Sequence, residues 1–323
     1  MRRFLLVFAL VGVLLAGCGG ESGTGTTLKL KLADTVPATD PYFKAEQAFA
    51  RRVAQATRGR IEIEVFPGGQ LGPDLAMAQG VKLGTIDMAI SGTTTSKVTD
   101  AFYLPYLFKD VEHQRRVMDG EIGARIRDRF RADTGMVMVG EAYFSTRHLT
   151  SNRPVRRLED LDGLGMRVPQ IPPLVATWRK LGASPTPIDF TELFGALQQG
   201  VVDGQENPYS LIYNASFYQV QRYVAQTAHG VPMRFLFMNE GTWNDLTPAD
   251  RALFRRIWQE EARKLAQVQI EQEQAFLQKL RDEGMTVTRV DTDRFRAAVA
   301  DVWREYAPEA WGRGTYEEIQ SLR

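Results

Sequence analysis

The side chain best placed by type and spacing to do chemistry is Arg167, in the run Asp162-Gly-Leu-Gly-Met-Arg-Val-Pro169. Met166 and Val168 flank it, so a strand here turns those two one way and the guanidinium the other. A cation leaving a strand end beside a proline is poorly placed for a core and well placed to meet an anion in a cleft. Its planar fork donates two parallel hydrogen bonds to a carboxylate. A charge-assisted bond contributes roughly 1.5–3 kcal/mol net, against about 8 kcal/mol for a micromolar complex. Taken alone, though, an arginine is more often a surface or ion-pair residue.

Catalytic groups are sparse. The three histidines, His113, His148 and His229, lie far apart in sequence, and His148 should face away from Arg147 on a shared strand. The single cysteine, Cys18, has no histidine partner. There is no Gly-x-Ser-x-Gly, His-Glu-x-x-His or glycine-rich phosphate loop. Glu192 and Glu206 are the carboxylates to weigh as an acid–base pair. Glu192 is better explained by a capping box with Asp189 as N-cap, and Glu206 by a hinge or lobe contact. The sequence predicts a protein that is not an enzyme, with no catalytic residue, metal or cofactor.

The elements that must position Arg167 follow an α/β rhythm. Leu28 to Leu32 and Ile61 to Val65 alternate like half-buried strands. Between them a helix starts at Asp40-Pro41 and is closed by Gly59. A helix from about Asp74 to Leu83, ended by Gly84, leads to a buried strand at Ile86 to Ile90. The middle repeats the style, with strands at 137–142 and 165–168, a helix at 172–181 and another from Asp189 to Gly200. A largely parallel sheet is expected, with ligand loops at the strand ends. From Thr247-Pro248 no Gly or Pro appears until Gly284, roughly 54 Å if wholly helical. Two helices with a kink, or one helix packed along two lobes, both fit its apolar stripe.

The N-terminus reads as an export signal. Arg2 and Arg3 precede an apolar run, Phe4 to Leu15, too short for a span of roughly 20 residues. It ends in Leu15-Ala-Gly-Cys18, like a lipoprotein lipobox. Residues 1–17 are expected to be a signal peptide, Cys18 the lipid anchor and 18–27 a Gly/Ser/Thr tether. About 295 residues remain, enough for two lobes. Lys plus Arg number 40 and Asp plus Glu 39. This near-neutral balance without a polybasic block argues against nucleic acid.

Three blocks then carry a resemblance: Leu161-Asp-Gly-Leu-Gly-Met-Arg-Val-Pro169, Leu181-Gly-Ala-Ser-Pro-Thr-Pro187 and Ala196-Leu-Gln-Gln-Gly-Val-Val-Asp-Gly-Gln-Glu-Asn-Pro208. In order and spacing they resemble the solute-binding proteins of tripartite ATP-independent periplasmic (TRAP) transporters. Weaker similarity extends over nearly the whole mature chain, including Gln70-Leu71-Gly72 and Leu104-Pro105-Tyr106. The resemblance implies an α/β, two-lobed, periplasmic-binding-protein-like fold, with a ligand cleft between lobes and a long C-terminal helix spanning both. It implies a first lobe of 28–144 plus 233–272 and a second of 145–232 plus 273–323. It places the family's carboxylate-gripping arginine on Arg167, a second ligand-facing arginine on Arg147, the ligand-binding asparagine on Asn207, a pocket aromatic on Phe190 and a hydroxyl-contacting acid on Asp74. The sialic-acid-binding branch also has a glutamate on the first lobe, where this chain reads Ser91-Gly92-Thr93.

Structural alternatives stand beside these roles. Arg147 could pair with Glu141 or Asp162, Phe190 could be core, and Asp74 could only cap a helix. The expected ligand is a small organic acid, with a uronate or aldonate favoured. A four-carbon dicarboxylate or an oxo acid is the alternative, as is a ligand sensor for a membrane kinase. The expected partners are the membrane subunits of a TRAP transporter. The expected state is a monomer in the periplasm or on the outer face of the cytoplasmic membrane, held only by lipid on Cys18.

Overall fold

The computed structural model describes residues 27–323. Cys18, with the signal and anchor readings, lies outside the described residues. The chain forms two sheets, and so two lobes. The first holds β1 (Leu28–Asp34), β2 (Ile61–Phe66), β3 (Met88–Ser91), β4 (Met136–Tyr143) and β10 (Met233–Asn239), in the order β2-β1-β3-β10-β4. The second holds β5 (Arg147–Ser151), β6 (Gly165–Val168), β7 (Ser184–Pro187), β8 (Gly204–Pro208), β9 (Tyr223–Gly230) and β11 (Thr286–Arg289), in the order β11-β9-β5-β8-β6-β7.

Local signals set most elements. Asp40 caps the helix Pro41–Ala56, accepting from Tyr42 N at 3.0 Å, with Pro41 at the first position. The helix Asp74–Leu83 ends on Gly84, whose φ of 78° is left-handed. The parallel pairs are β1 with β2 and β3, β6 with β7 and β8, and β9 with β11. The strands that break the expected parallel order are β10, antiparallel to β3 and β4, and β5, antiparallel to β8 and β9. The cause is chain crossing. The chain leaves the first sheet at β4 to enter the second at β5, and returns from β9 into β10. Phe144 N donates to Pro232 O at 3.1 Å where the two crossings run together.

Pro248–Asp282 is one helix of 35 residues, so the kinked pair of helices does not form. Near its start Phe254 and Trp258 meet Phe49 edge-on, with centroids 5.6 and 5.7 Å apart, in the first lobe. Near its end Phe276, Leu277 and Leu280 share the second lobe's core with Leu193 and Phe217. One rigid element therefore touches both lobes.

The chain's last helices depart from the expected partition. Trp303–Trp311 and Thr315–Ser321, expected with the second lobe, pack on first-lobe helices between β3 and β4. Trp311 Nε1 donates to Val98 O at 2.9 Å and its ring lies 5.1 Å from that of Phe102. His113 Nε2 bonds Ile319 O at 2.8 Å. The reason is burial: Ala307, Ala310, Trp311 and Ile319 form an apolar face that the first lobe's Val98, Phe102 and Phe130 cover.

Candidate functional site

β6 carries Arg167 as the alternation requires. Met166 and Val168 enter the core, and the guanidinium turns to the other face. Its Nε donates to Ile188 O at 2.8 Å, which fixes the stem and leaves both terminal nitrogens for another partner. Among the described residues no carboxylate contacts it. Burial lowers its pKa to about 10, so it stays cationic at neutral pH.

Arg147, the first residue of β5, is in a different state. Its Nη2 donates to Glu206 Oε1 at 2.7 Å and to Glu206 O at 2.8 Å, and its Nε donates to Oε2. Neither Glu141 nor Asp162 is its partner; Glu141 faces Arg127 at 3.7 Å. The register explains this: Arg147 lies opposite Pro208, so Glu206 is its diagonal neighbour on the adjacent strand. His229 Nε2 also bonds Glu206 Oε2, at 2.9 Å. Burial alone would raise the Glu206 pKa, but Arg147 and His229 outweigh it and bring it to about 2.

Asp74 opens the helix Asp74–Leu83 without capping it, and its carboxylate faces the cleft. Ser91 Oγ donates to it at 2.6 Å and Thr35 Oγ1 at 3.3 Å. Burial, opposed by Arg234, raises its pKa. Asn207, in β8, gives its Nδ2 to Gln205 Oε1 at 2.6 Å, which leaves its Oδ1 to accept. Phe190 sits edge-on to Phe217 at 5.9 Å and packs against both lobes' cores. The capping box before it is not formed: Asp189 makes no side-chain cap bond, because its carboxylate takes the Gln170 amide at 3.1 Å.

All five side chains, Asp74, Arg147, Arg167, Phe190 and Asn207, line one cavity between the lobes, with about 400 Å³ free of protein atoms. Sequence reasoning missed several of its walls, two of them large polar side chains. Arg234, from β10, donates from Nη1 to Asp34 Oδ2 at 2.7 Å and from Nη2 to Asp34 Oδ1 and to Ile90 O. Its signal was available: a charge inside the apolar run Met233 to Met238 must be paired. Tyr103, from the short turn Ala101–Tyr103, is the other, and no local pattern marks it.

The cavity thus holds three guanidiniums in two states. Arg147 and Arg234 are neutralised by buried carboxylates, and Arg167 is not. Chemically, its free terminal nitrogens can donate to an anion, and Asp74 and the Asn207 Oδ1 can accept hydrogen bonds. No histidine lines the cavity. His148 stacks on Tyr209 at 4.2 Å, and His229 is held between Glu206 and Thr227. A separate groove of about 510 Å³, between Met118, Tyr143 and the long helix at Ala262, contains none of the five residues.

The profile of a family described as bacterial extracellular solute-binding protein, family 7, matches residues 32–309. A TRAP periplasmic solute-binding protein of Roseobacter denitrificans, solved with bound L-galactonate, is 34% identical with a TM-score of 0.83; 91% of this chain and 98% of that chain are covered. One of Pseudomonas putida F1, solved with bound D-glucuronate, is 29% identical with a TM-score of 0.84, covering 91% and 97%. The sialic acid-binding periplasmic protein of Vibrio cholerae is 31% identical over 300 residues, 92% of this chain and 93% of that one.

Proposed function

Since the chain belongs to family 7 of the bacterial extracellular solute-binding proteins, the binding subunits of TRAP transporters and not enzymes, we propose that it captures a sugar monoacid, an aldonate or uronate. In this reading Arg167 grips the carboxylate, Asn207 and Asp74 accept from hydroxyls, Phe190 packs on the carbon chain, and Arg147 closes the wall. The observation that carries it is the charge state of the three arginines: only Arg167 lacks a carboxylate in contact.

The same observation weighs against a four-carbon dicarboxylate. A second carboxylate needs a second free cation, and Arg147 is already paired with Glu206. Asp74 would repel it further. The solved relatives bound to L-galactonate and D-glucuronate point the same way. We extend the proposal to the chain's setting: a monomer anchored through lipid on Cys18, handing its acid to TRAP membrane subunits.

A thermal-shift and calorimetric screen tests this. The panel is L-galactonate, D-glucuronate, succinate, pyruvate, sialic acid and neutral galactose. An aldonate or uronate is expected to bind best; at one hundred times its Kd it stabilises the fold by about 2.7 kcal/mol. Preference for succinate, or binding of galactose as tight as that of its acid, overturns the proposal. For the anchor, the Cys18→Ala protein should leave the membrane fraction.

A further inference from the structure

Gly92 and Tyr103 form a feature of the cavity that the carboxylate clamp does not use. Both line it. A Cβ placed on Gly92 would stand 1.9 Å from Tyr103 Oη and 2.9 Å from its Cζ. The glycine is therefore required for space. Its φ lies outside the left-handed range, so backbone strain does not explain it.

The backbone at 92 has little room to yield. Ser91 Oγ accepts from Thr93 N at 2.9 Å while donating to Asp74 Oδ1 at 2.6 Å, which locks the turn around Gly92. The backbone that carries Tyr103 is equally fixed. The preceding Phe102 is buried against Phe108, Phe235 and Trp311, with centroids 6.0, 5.1 and 5.1 Å away. The Arg147 guanidinium carbon lies 5.7 Å from the Tyr103 ring centroid. Yet among the described residues Tyr103 Oη has no hydrogen-bond partner, although the residue is only 7% exposed.

A phenol in a cavity wall with no protein partner is free to pair with whatever fills the cavity. We infer that Tyr103 is a specificity-determining residue whose hydroxyl hydrogen-bonds one hydroxyl of the bound acid, and that Gly92 is the positioning residue that leaves room for it. The inference rests on the sugar-acid reading and deepens it. Burial raises the Tyr103 pKa to about 12, so the phenol keeps its proton at neutral pH and can donate as well as accept. With Asp74 restricted to accepting while ionised, Tyr103 supplies the donor that a polyol chain also needs.

Calorimetry on the full chain tests this with L-galactonate, D-glucuronate and the monodeoxy galactonates. Y103F is expected to bind the preferred acid about tenfold more weakly. For one monodeoxy acid, wild type and Y103F should bind equally, because the hydroxyl they would contest is gone. A merely structural tyrosine would not produce that equality. G92A should weaken binding at least tenfold, whereas adding G92A to Y103A should change the Kd by less than twofold. Y103F within twofold of wild type for every acid overturns the inference, as does a G92A effect that persists on the Y103A background. If G92A fails to fold, Y103F and the deoxy series decide alone. The failures are distinguishable: wild type that binds no sugar acid overturns the function, whereas binding indifferent to Tyr103 overturns only this inference.

Discussion

Arg147 Nη2 stands 2.7 Å from Glu206 Oε1, and both side chains are almost wholly buried. The pair decides what Arg167 does, because it removes the cavity's nearest rival for a carboxylate.

Breaking that pair should change both stability and taste. Glu206→Gln leaves Arg147 charged, buried and unpaired, which costs about 3–5 kcal/mol. It also creates a second free cation, so relative affinity should move toward succinate. Denaturation and calorimetry read the two effects. Undiminished stability would mean that the pair is not closed in solution.

Arg167 should show the opposite balance. Arg167→Met removes a charge-assisted fork and should weaken acid binding by at least a hundredfold. Its pKa is lowered to about 10, chiefly by burial. The folded state therefore bears a penalty for the charge at every pH below about 10, relieved only as pH rises toward the unfolded value. The unliganded variant should consequently melt higher than wild type. A variant that melts lower and binds normally would contradict the assignment.

The lips of the cleft meet at Gly69 and Thr191. A Cβ on Gly69 would stand 2.6 Å from Thr191 Cγ2, and Gly69 has a φ of +73°. Gly69→Ala should have two separable consequences. Backbone strain costs about 1–2 kcal/mol of stability in any lobe arrangement. The clash opposes closure alone and so lowers affinity by population shift. Adding Thr191→Ser removes Cγ2, so affinity should recover while the melting temperature does not.

Stability should peak in mild acid. Burial raises Asp40 to about 6, Glu141 to about 7 and Asp100 to about 8. Each disfavours the fold above its own pKa, and that penalty is relieved as pH falls toward the unfolded value. Glu206 acts in reverse. Its contribution is present above the unfolded value of 4.5 and is lost as pH falls through about 2. Melting temperature is expected to rise from pH 8 to about 5 and fall below about 4. A monotonic fall from pH 8 to 4 would refute the sign.

Much of the fold was legible because its signals are local. Asp40 with Pro41, and Gly84 after Leu83, mark helix ends through bonds within a few residues. Alternation around Arg167 told which way it turns. The capping box at Asp189 failed because Gln170, far back in the chain, took its carboxylate. The antiparallel β5 and β10 were hidden because strand direction depends on where the chain crosses between lobes. Arg234 was visible only as a charge out of place, and Tyr103 not at all.

The sequence by itself determined the α/β rhythm and the direction of Arg167, which follow from side-chain periodicity acting over short separations. The order of its motifs gave the family, and the other four cleft residues came through that resemblance alone. Only the tertiary structure decided which arginine is free to bind. Charge compensation is settled by contacts between residues distant in the chain: Arg147 lies 59 positions from Glu206, and Arg234 lies 200 from Asp34. Until the two sheets fold, all three guanidiniums are alike, and burial beside a carboxylate is what makes two of them structural.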